Sequence, residues 1–240
     1  MEDVNIKIID EYLDKTLEVL SGAIDDFYLA GGTALSKFYF DHRGSFDLDF
    51  FTKKFSEKRV EEITTYIGKK LNLQVKLAGV TDQKGKIQVR TYYLIIDTEN
   101  KLKLDFVEDR CPVLKGLNRR DGIYFLSKED LYLRKIFAMC GSRKDVDDIG
   151  RDAFFGGRQE SKDYFDVYCL SSIFIPLSDF VLQFCGDSQM VERLILWQRT
   201  YDRFAMKSGL IDLITKTVPD ARLIEKHFDK EIEKLIKAVS

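Results

Sequence analysis

Hydrophobic residues follow helical and strand-like spacing in turn along the first half of the chain. Between residues 5 and 21 they recur every three or four positions, and Gly22 follows, which predicts an amphipathic helix that ends there. The apolar run 27–30, the two glycines after it and the stretch that follows predict a strand, a tight turn and a helix. Residues 57–71 return to helical spacing and predict a further helix.

Strict alternation of polar and apolar residues indicates the longer strands. Residues 45–51 place Asp47 and Asp49 on one face of a half-buried strand, because successive side chains of a strand point to opposite faces. Two later β-rich runs, 87–96 and 101–109, are separated by four residues of turn-forming character. These two runs therefore predict a β-hairpin.

A third carboxylate, that of Asp105, lies in the second strand of this hairpin. The same alternation sends Asp105 away from the apolar residues of its strand and places it on one face with Lys101 and Lys103. The two lysines suit either of two roles, which are neutralising phosphate charge and protecting an exposed edge strand. Edge protection is the favoured interpretation.

The pattern becomes helical from Ser127 onward. Helical spacing continues through four segments, which are 127–140, 159–171, 188–207 and 219–239. The glycine-containing stretch 141–158 is expected to be a mobile loop. The predicted fold is of the α/β (α+β) class, with a small mixed sheet and flanking helices in residues 1–126 and a helical bundle in residues 127–240.

Composition narrows the setting in which this protein works. The 38 basic and 40 acidic residues leave a formal net charge of −2, which gives no overall attraction to a nucleic-acid backbone. The four cysteines are far apart and form no CxxC pair, so neither a zinc site nor a disulfide framework is indicated. An acidic N-terminus and the absence of a run of about 18 apolar residues favour a cytoplasmic protein without a membrane span.

The order of the glycine turn and the carboxylates indicates nucleotide chemistry. Gly31 and Gly32 allow a ligand to approach the backbone at a helix N-terminus, which suits a phosphate, and Thr33 adds a hydroxyl. Asp47 and Asp49 supply hard oxygen ligands for a divalent cation, with Mg²⁺ as the natural candidate. Asp105 on a nearby strand would complete a site for two ions.

These residues resemble those of the AbiEii-type nucleotidyltransferase toxins, within the DNA polymerase beta-like nucleotidyltransferase superfamily. The resemblance covers about residues 25–170 and rests on shared short motifs. They are GGTAL at 31–35, HRGSFDLDFF at 42–51, KLKLDFVED at 101–109, then Ser127, Glu129, Asp130, Leu131, Lys135 and Ala138, and finally Arg158, Lys162, Asp163 and Asp166.

The resemblance implies transfer of a nucleoside monophosphate from an NTP to an acceptor, with Mg²⁺ or Mn²⁺ as cofactor. The acceptor would be a tRNA, another RNA or a protein, and a cognate antitoxin would be the protein partner. By position, Asp47, Asp49 and Asp105 would be the catalytic metal ligands. The residues expected to bind nucleotide are Gly31, Gly32, Thr33, Arg43, Lys135, Lys162, Asp163 and Asp166, of which Asp163 or Asp166 would act as a base or position the acceptor.

Several alternatives stay open from sequence. The run RKDVDD at 143–148 competes with 158–166 as the C-terminal motif, and Arg43 suits pairing with a surface acid as well as with a phosphate. At the level of function, the same residues are compatible with a degenerate module that binds nucleotide or a partner protein without turnover. They are equally compatible with a metal-dependent phosphodiesterase, in which water is the acceptor.

Overall fold

The chain folds into two compact units. The computed structural model describes residues 2–83, 86–141, 143–146, 150, 152–155, 158, 160–186 and 188–239. The N-terminal unit consists of Met1–Asp41 and Ser45–Ser127, and the C-terminal unit consists of His42–Gly44 and Lys128–Ser240. A short piece of the first half, residues 42–44, is thus part of the second unit.

A mixed seven-stranded sheet forms the centre of the N-terminal unit. The elements of this unit are α1 (Glu2–Leu20), β1 (Tyr28–Leu29), α2 (Gly31–Leu35, continued by a π-helical turn Ser36–Phe40), β2 (Asp47–Thr52), α3 (Glu57–Leu71), β3 (Gln74–Thr81), β4 (Val89–Ile95), β5 (Lys101–Glu108), β6 (Leu117–Arg120) and β7 (Ile123–Leu126). The strands of the sheet follow the order β3-β4-β5-β2-β1-β7-β6. The strand β2 is antiparallel to β1 and parallel to β5, while β4 is antiparallel to both β3 and β5.

One face of the central strands provides the core of this unit. Alternate residues of β2 and β5 are buried, and the buried set includes Phe50 and Phe106, whose rings stack with centroids 5.5 Å apart. Phe27 meets Phe106 edge-on at the same separation. Because the period of a strand is two, burial of these phenylalanines leaves Asp47, Asp49 and Asp105 on the opposite face.

The C-terminal unit is mainly helical. Its elements are α4 (Lys128–Cys140), β8 (Arg143–Val146), β9 (Asp152–Phe155), α5 (Ser161–Ile173), α6 (Leu177–Phe180, continued by a π-helical turn Val181–Cys185), α7 (Ser188–Thr200), α8 (Arg203–Ile211) and α9 (Ala221–Val239). Aromatic side chains fill its centre. Tyr164 of α5 stacks on Phe228 of α9 with centroids 4.7 Å apart, and Trp197 of α7 contacts both rings.

The predicted fold class is confirmed, as are most of the predicted elements. The helix before Gly22, the strand with Asp47 and Asp49, the helix 57–71 and the hairpin of β4 and β5 all form. Gly22 stops α1 with a φ of +69°, a left-handed conformation that glycine adopts without strain.

Three predictions about local structure were wrong. The stretch 188–207 is two helices, because Asp202 caps α8 by accepting a hydrogen bond from the Ala205 amide at 2.9 Å. The stretch 141–158, expected to be a loop, contains the antiparallel ribbon of β8 and β9. Finally, β5 lies between β4 and β2, so Lys101 and Lys103 do not protect a sheet edge.

Cysteine burial and helix length are two further properties of the fold. All four cysteines are free thiols, and burial raises the pKa of Cys140 and of Cys169 to about 12. In the described part of the chain, no single helix has the length and apolar character needed to cross a membrane. Two consecutive helical segments, Ser161–Ile173 and Leu177–Cys185, reach that length and apolar character when they are taken together, but the pair is bent by 90°.

Candidate active site

The carboxylates predicted from sequence lie on one face of the N-terminal sheet. In the parallel pairing of β2 with β5, Asp49 lies directly opposite Asp105, and Asp47 lies opposite Lys103. Neighbouring strands are about 4.8 Å apart, so the side chains of such pairs are in close reach. All four residues are partly exposed. We call the surface formed by Asp47, Asp49, Lys103 and Asp105 the acidic face.

The carboxylate of Asp105 is held from two sides. The Thr91 hydroxyl on β4 donates a hydrogen bond to one oxygen at 2.6 Å, and the Lys103 ammonium donates to the other at 2.5 Å. Burial would lower the pKa of Lys103, but the hydrogen bond to Asp105 and the charges of Asp105, Asp47 and Asp49 outweigh it and raise this pKa. Lys103 therefore stays a cation within the acidic face.

Gly31, the first residue of α2, lies against the Asp49 carboxylate. Its φ is +68°, and a Cβ at this position would lie 1.9 Å from the Asp49 Oδ2 atom. The backbone is fixed close by, because the amide of Ala30 donates to the Asp49 carbonyl at 2.9 Å. The glycine is therefore required twice, by the left-handed backbone and by the space that the Asp49 carboxylate occupies.

The hydroxyl of Thr33 makes its hydrogen bonds inside the protein. The residue is 1% exposed, and its Oγ1 atom donates to the backbone carbonyl of Asp47 at 2.5 Å, with the Ser45 hydroxyl 3.0 Å away. This bond ties the first turn of α2 to the start of β2. The amides of Gly31, Gly32 and Thr33 precede the first intrahelical bond, which Ala34 makes to Ala30 at 3.3 Å. A phosphate contact at this turn stays a prediction.

The donor set of the acidic face suits a divalent cation. Three carboxylates on two adjacent strands supply the hard oxygen ligands that Mg²⁺ and Mn²⁺ prefer, and the ammonium of Lys103 shows that a cation is stabilised among them. Within the described residues, no three acidic, histidine or cysteine side chains converge on one point. Asp105 is turned toward Lys103 and Thr91 instead.

Four of the predicted nucleotide-binding residues, all in the C-terminal unit, belong to a buried charge network. Asp166 on α5 is fully buried and accepts hydrogen bonds from both Nε and Nη2 of Arg43, each at 2.7 Å. Lys135 on α4 lies 2.6 Å from Asp166 and 2.8 Å from Asp163. His42 lies 2.7 Å from Asp166. We call Arg43, Lys135, Asp163, Asp166 and His42 the buried charge network.

The two aspartates of this network are held ionised by their partners. Burial alone would raise the pKa of Asp166, but the charges of Lys135 and Arg43 and the hydrogen bond from Arg43 outweigh it, so its pKa lies well below the usual value. For Asp163, burial is likewise outweighed by Lys135 and Arg158, and the pKa is lowered. Both groups are charged at neutral pH.

Arg158, which precedes α5, and Lys162 in the first turn of α5 both have partly exposed side chains. Lys162 pairs with Glu160 at 2.9 Å, with both side chains partly exposed. Arg158, which belongs to the same motif, donates to Asp163 at 2.8 Å while about half of its side chain stays exposed. The competing motif 143–148 falls on β8 for Arg143–Val146, and residues 147 and 148 lie outside the described residues. The ion pairs described above use the 158–166 motif.

Sequence reasoning did not identify Thr91 as a partner of Asp105 or place Arg158 among the functional residues. Thr91 lies directly opposite Asp105 in the hairpin, so the register of β4 and β5 would have revealed it. Arg158 precedes Asp163 by five residues, and its guanidinium reaches that carboxylate. His42, whose Nε2 atom lies 2.7 Å from Asp166, is a further contact outside the predicted set.

The sheet and its acidic face define a nucleotidyltransferase-type fold. Two crystal structures of Helicobacter pylori proteins share it, each with a TM-score of 0.55. One is described as a candidate nucleotidyltransferase, at 18% identity over 94% of this chain and 95% of that one. The other is JHP933, at 17% identity over 94% of this chain and 93% of that one. At such identities the likeness concerns the fold.

The chain belongs to the family described as nucleotidyl transferase AbiEii toxin, type IV toxin–antitoxin system, whose model matches residues 16–238. A relative, the uncharacterised protein aq_aa25 of Aquifex aeolicus (strain VF5), is 32% identical over 143 residues. That alignment covers 58% of this chain and 62% of the relative, which is less than two thirds of its length. The family model and the shared fold both support the nucleotidyltransferase class.

Proposed function

We propose that this protein is an NTP-dependent nucleotidyltransferase that transfers a nucleoside monophosphate to an acceptor hydroxyl, with Asp47, Asp49 and Asp105 holding Mg²⁺ or Mn²⁺. The acceptor is an RNA, such as the end of a tRNA, or a protein. The protein acts in the cytoplasm as the toxin of a toxin–antitoxin pair, and a cognate antitoxin is its protein partner.

The observation that carries this proposal is the register of β2 and β5. It places Asp49 opposite Asp105 and keeps Asp47 on the same face two residues earlier. Three carboxylates share this partly exposed face with a single ammonium, that of Lys103, and a divalent cation would offset the negative charge that remains. The presence of Gly31 supports the same conclusion, because its missing side chain leaves room for the Asp49 carboxylate.

In the reaction, the acceptor oxygen forms a bond to the α-phosphorus as the bond to pyrophosphate breaks, and the hydroxyl proton passes to solvent water at the partly exposed acidic face. Divalent cations held by the three aspartates would supply Lewis-acid activation and neutralise the phosphate charge. The chain's own residues orient the reactants. Thr91 fixes one oxygen of Asp105, and Thr33 ties the helix α2 to the strand that bears Asp47.

The C-terminal motif has a proposed place in nucleotide binding. Arg158 and Lys162 have the exposure that a phosphate contact needs, whereas Lys135 and Arg43 are at most 6% exposed. We therefore assign direct contact to the exposed cations, and we assign to Arg43, Lys135, Asp163 and Asp166 the positioning of this segment. The bidentate hydrogen bonds from the Arg43 guanidinium to the Asp166 carboxylate fix the orientation of the segment that carries Asp166.

The test is transfer of label from each α-labelled NTP to total RNA or to protein extract, with Mg²⁺ or Mn²⁺. The wild-type protein should label one class of acceptor. Asp47→Asn and Asp49→Asn should each reduce transfer by at least about 100-fold, because each variant removes a carboxylate ligand of the metal ion. Lys101→Met is the matched control, because Lys101 lies on the same side of β5 as Asp105. Its Nζ atom lies 4.2 Å from the centroid of the Tyr93 ring.

Each other outcome contradicts the proposal in a defined way. Nucleotide binding without transfer to any acceptor would indicate a binding module. Release of nucleotide from RNA without added NTP would indicate a phosphodiesterase with water as acceptor. Unchanged transfer by both Asn variants would remove the acidic face from the chemistry.

A further inference from the structure

Lys103 is the one residue of the acidic face that the proposed reaction leaves without a role. Protection of a sheet edge does not account for it, because β5 is flanked by β4 and β2. Lysine in the interior of a sheet is disfavoured relative to β-branched and aromatic residues. Its presence on β5, beside the aspartates of β2 and of β5 itself, therefore requires another explanation.

The pairing of β2 with β5 places two carboxylates next to Lys103. Asp47 lies directly opposite it on β2, and Asp105 follows it by two residues on β5 and points to the same face. The Lys103 ammonium contacts Asp105 at 2.5 Å, and about a third of the lysine side chain is exposed. An ammonium at this distance occupies the position in which a cation bound to Asp105 would lie.

The contact also explains why the three carboxylates do not converge. Asp105 is turned toward Lys103 and Thr91, and within the described residues no three acidic groups are placed to hold a metal. A divalent cation bound by all three aspartates must therefore displace the Lys103 ammonium from the Oδ2 atom of Asp105. The long, flexible stem of lysine makes such a movement possible without a change of backbone.

We infer that Lys103 is a tethered cation that competes with the divalent metal ion for Asp105 and so weakens metal binding in the absence of nucleotide. This inference rests on the proposed function, because it takes the acidic face as the metal site. An incoming triphosphate offers the released ammonium a new anionic partner, so the lysine moves from Asp105 to the substrate. Lys103 is thus a positioning and regulatory residue of the same site.

The test is Mn²⁺ binding to the full chain without nucleotide, measured from the electron paramagnetic resonance signal of free Mn²⁺. Lys103→Met should bind Mn²⁺ about 5- to 10-fold more tightly than wild type, which corresponds to loss of one partly screened ion pair. Lys101→Met removes the same charge from the same strand without contact to Asp105, and its affinity should stay within about twofold of wild type.

Aspartate variants separate failure of this inference from failure of the proposed function. If Asp49→Asn and Asp105→Asn abolish Mn²⁺ binding while Lys103→Met behaves like Lys101→Met, the competition is refuted and the metal site stands. If no aspartate variant changes Mn²⁺ binding, the acidic face is not the metal site and the proposed function fails with the inference. Thermal unfolding of each variant shows that the comparison is between folded proteins.

Discussion

Replacing Gly31 by alanine tests whether the position of the Asp49 carboxylate matters for activity. The new Cβ would lie 1.9 Å from the Asp49 Oδ2 atom. Since an ordinary van der Waals contact between two heavy atoms needs about 3.5 Å, the oxygen must move by about 1.5 Å. The Cγ and Cβ atoms of Asp49 would also be close, at 2.8 and 3.1 Å, so the carboxyl group must turn and the Cβ atom must shift by a few tenths of an ångström. The remaining cost is the left-handed backbone, about 1–2 kcal/mol.

Activity should fall much further than stability in this variant. A displacement of about 1 Å at a reacting centre costs about 100-fold in rate, so Gly31→Ala should reduce transfer by about that factor. The matched control is Gly22→Ala. Gly22 has a φ of +69°, close to the +68° of Gly31, and a Cβ there would meet nothing within 4 Å. Both variants should lose about the same stability in thermal unfolding.

The difference between the two alanine variants isolates the contact with Asp49. Transfer of labelled nucleotide and Mn²⁺ affinity should both fall for Gly31→Ala and stay near wild type for Gly22→Ala. Equal activity of the two variants would show that the Asp49 carboxylate does not need its present position. That result would refute the argument that Gly31 is required by the site as well as by the backbone.

The buried charge network leads to two further predictions, both measured by fluorescence of Trp197, the only tryptophan, which lies in the C-terminal unit. Asp166→Asn should lower the free energy of unfolding in urea by about 3–5 kcal/mol, because it leaves buried cations uncompensated. Lys162→Gln should change the free energy of unfolding by less than about 0.5 kcal/mol. Equal effects of the two variants would contradict the structural role of Asp166. The lowered pKa values of Asp163 and Asp166 stabilise the fold above their unfolded value of about 3.9, and this contribution is lost as pH falls through the folded values. Acid unfolding should therefore be centred below about pH 4, and the pH dependence there should be shallower in Asp166→Asn; an identical slope would contradict the assignment.

The sequence predicts those features of the sheet that depend on local pattern. Alternation with a period of two is sufficient to place Asp47 and Asp49 on one face of β2, because neighbouring side chains in a strand necessarily point to opposite sides. The hairpin of β4 and β5 follows in the same way from two alternating runs around a short turn. Neither inference requires knowledge of distant residues.

Features that depend on pairing between distant strands are not available from local pattern. The parallel pairing of β2 with β5 brings Asp49 opposite Asp105, although α3, β3 and β4 separate them along the chain. The misassignment of Lys103 has the same origin, because whether a strand is central or at an edge depends on the order of the whole sheet. By contrast, the break before α8 had a local signal, since Asp202 is a favourable N-cap residue.

The residues of the C-terminal motif have two physical explanations that differ in their consequences. Lys135 and Asp166 are buried and satisfy each other, which is what a structural ion pair requires. A nucleotide contact would require an exposed cation, and in this motif Arg158 and Lys162 meet that condition. If the network is a scaffold, Asp166→Asn loses mainly stability, while Lys162→Gln keeps stability and loses nucleotide affinity. A motif shared with a family thus combines residues that hold the fold with residues that meet the substrate, and burial separates the two groups.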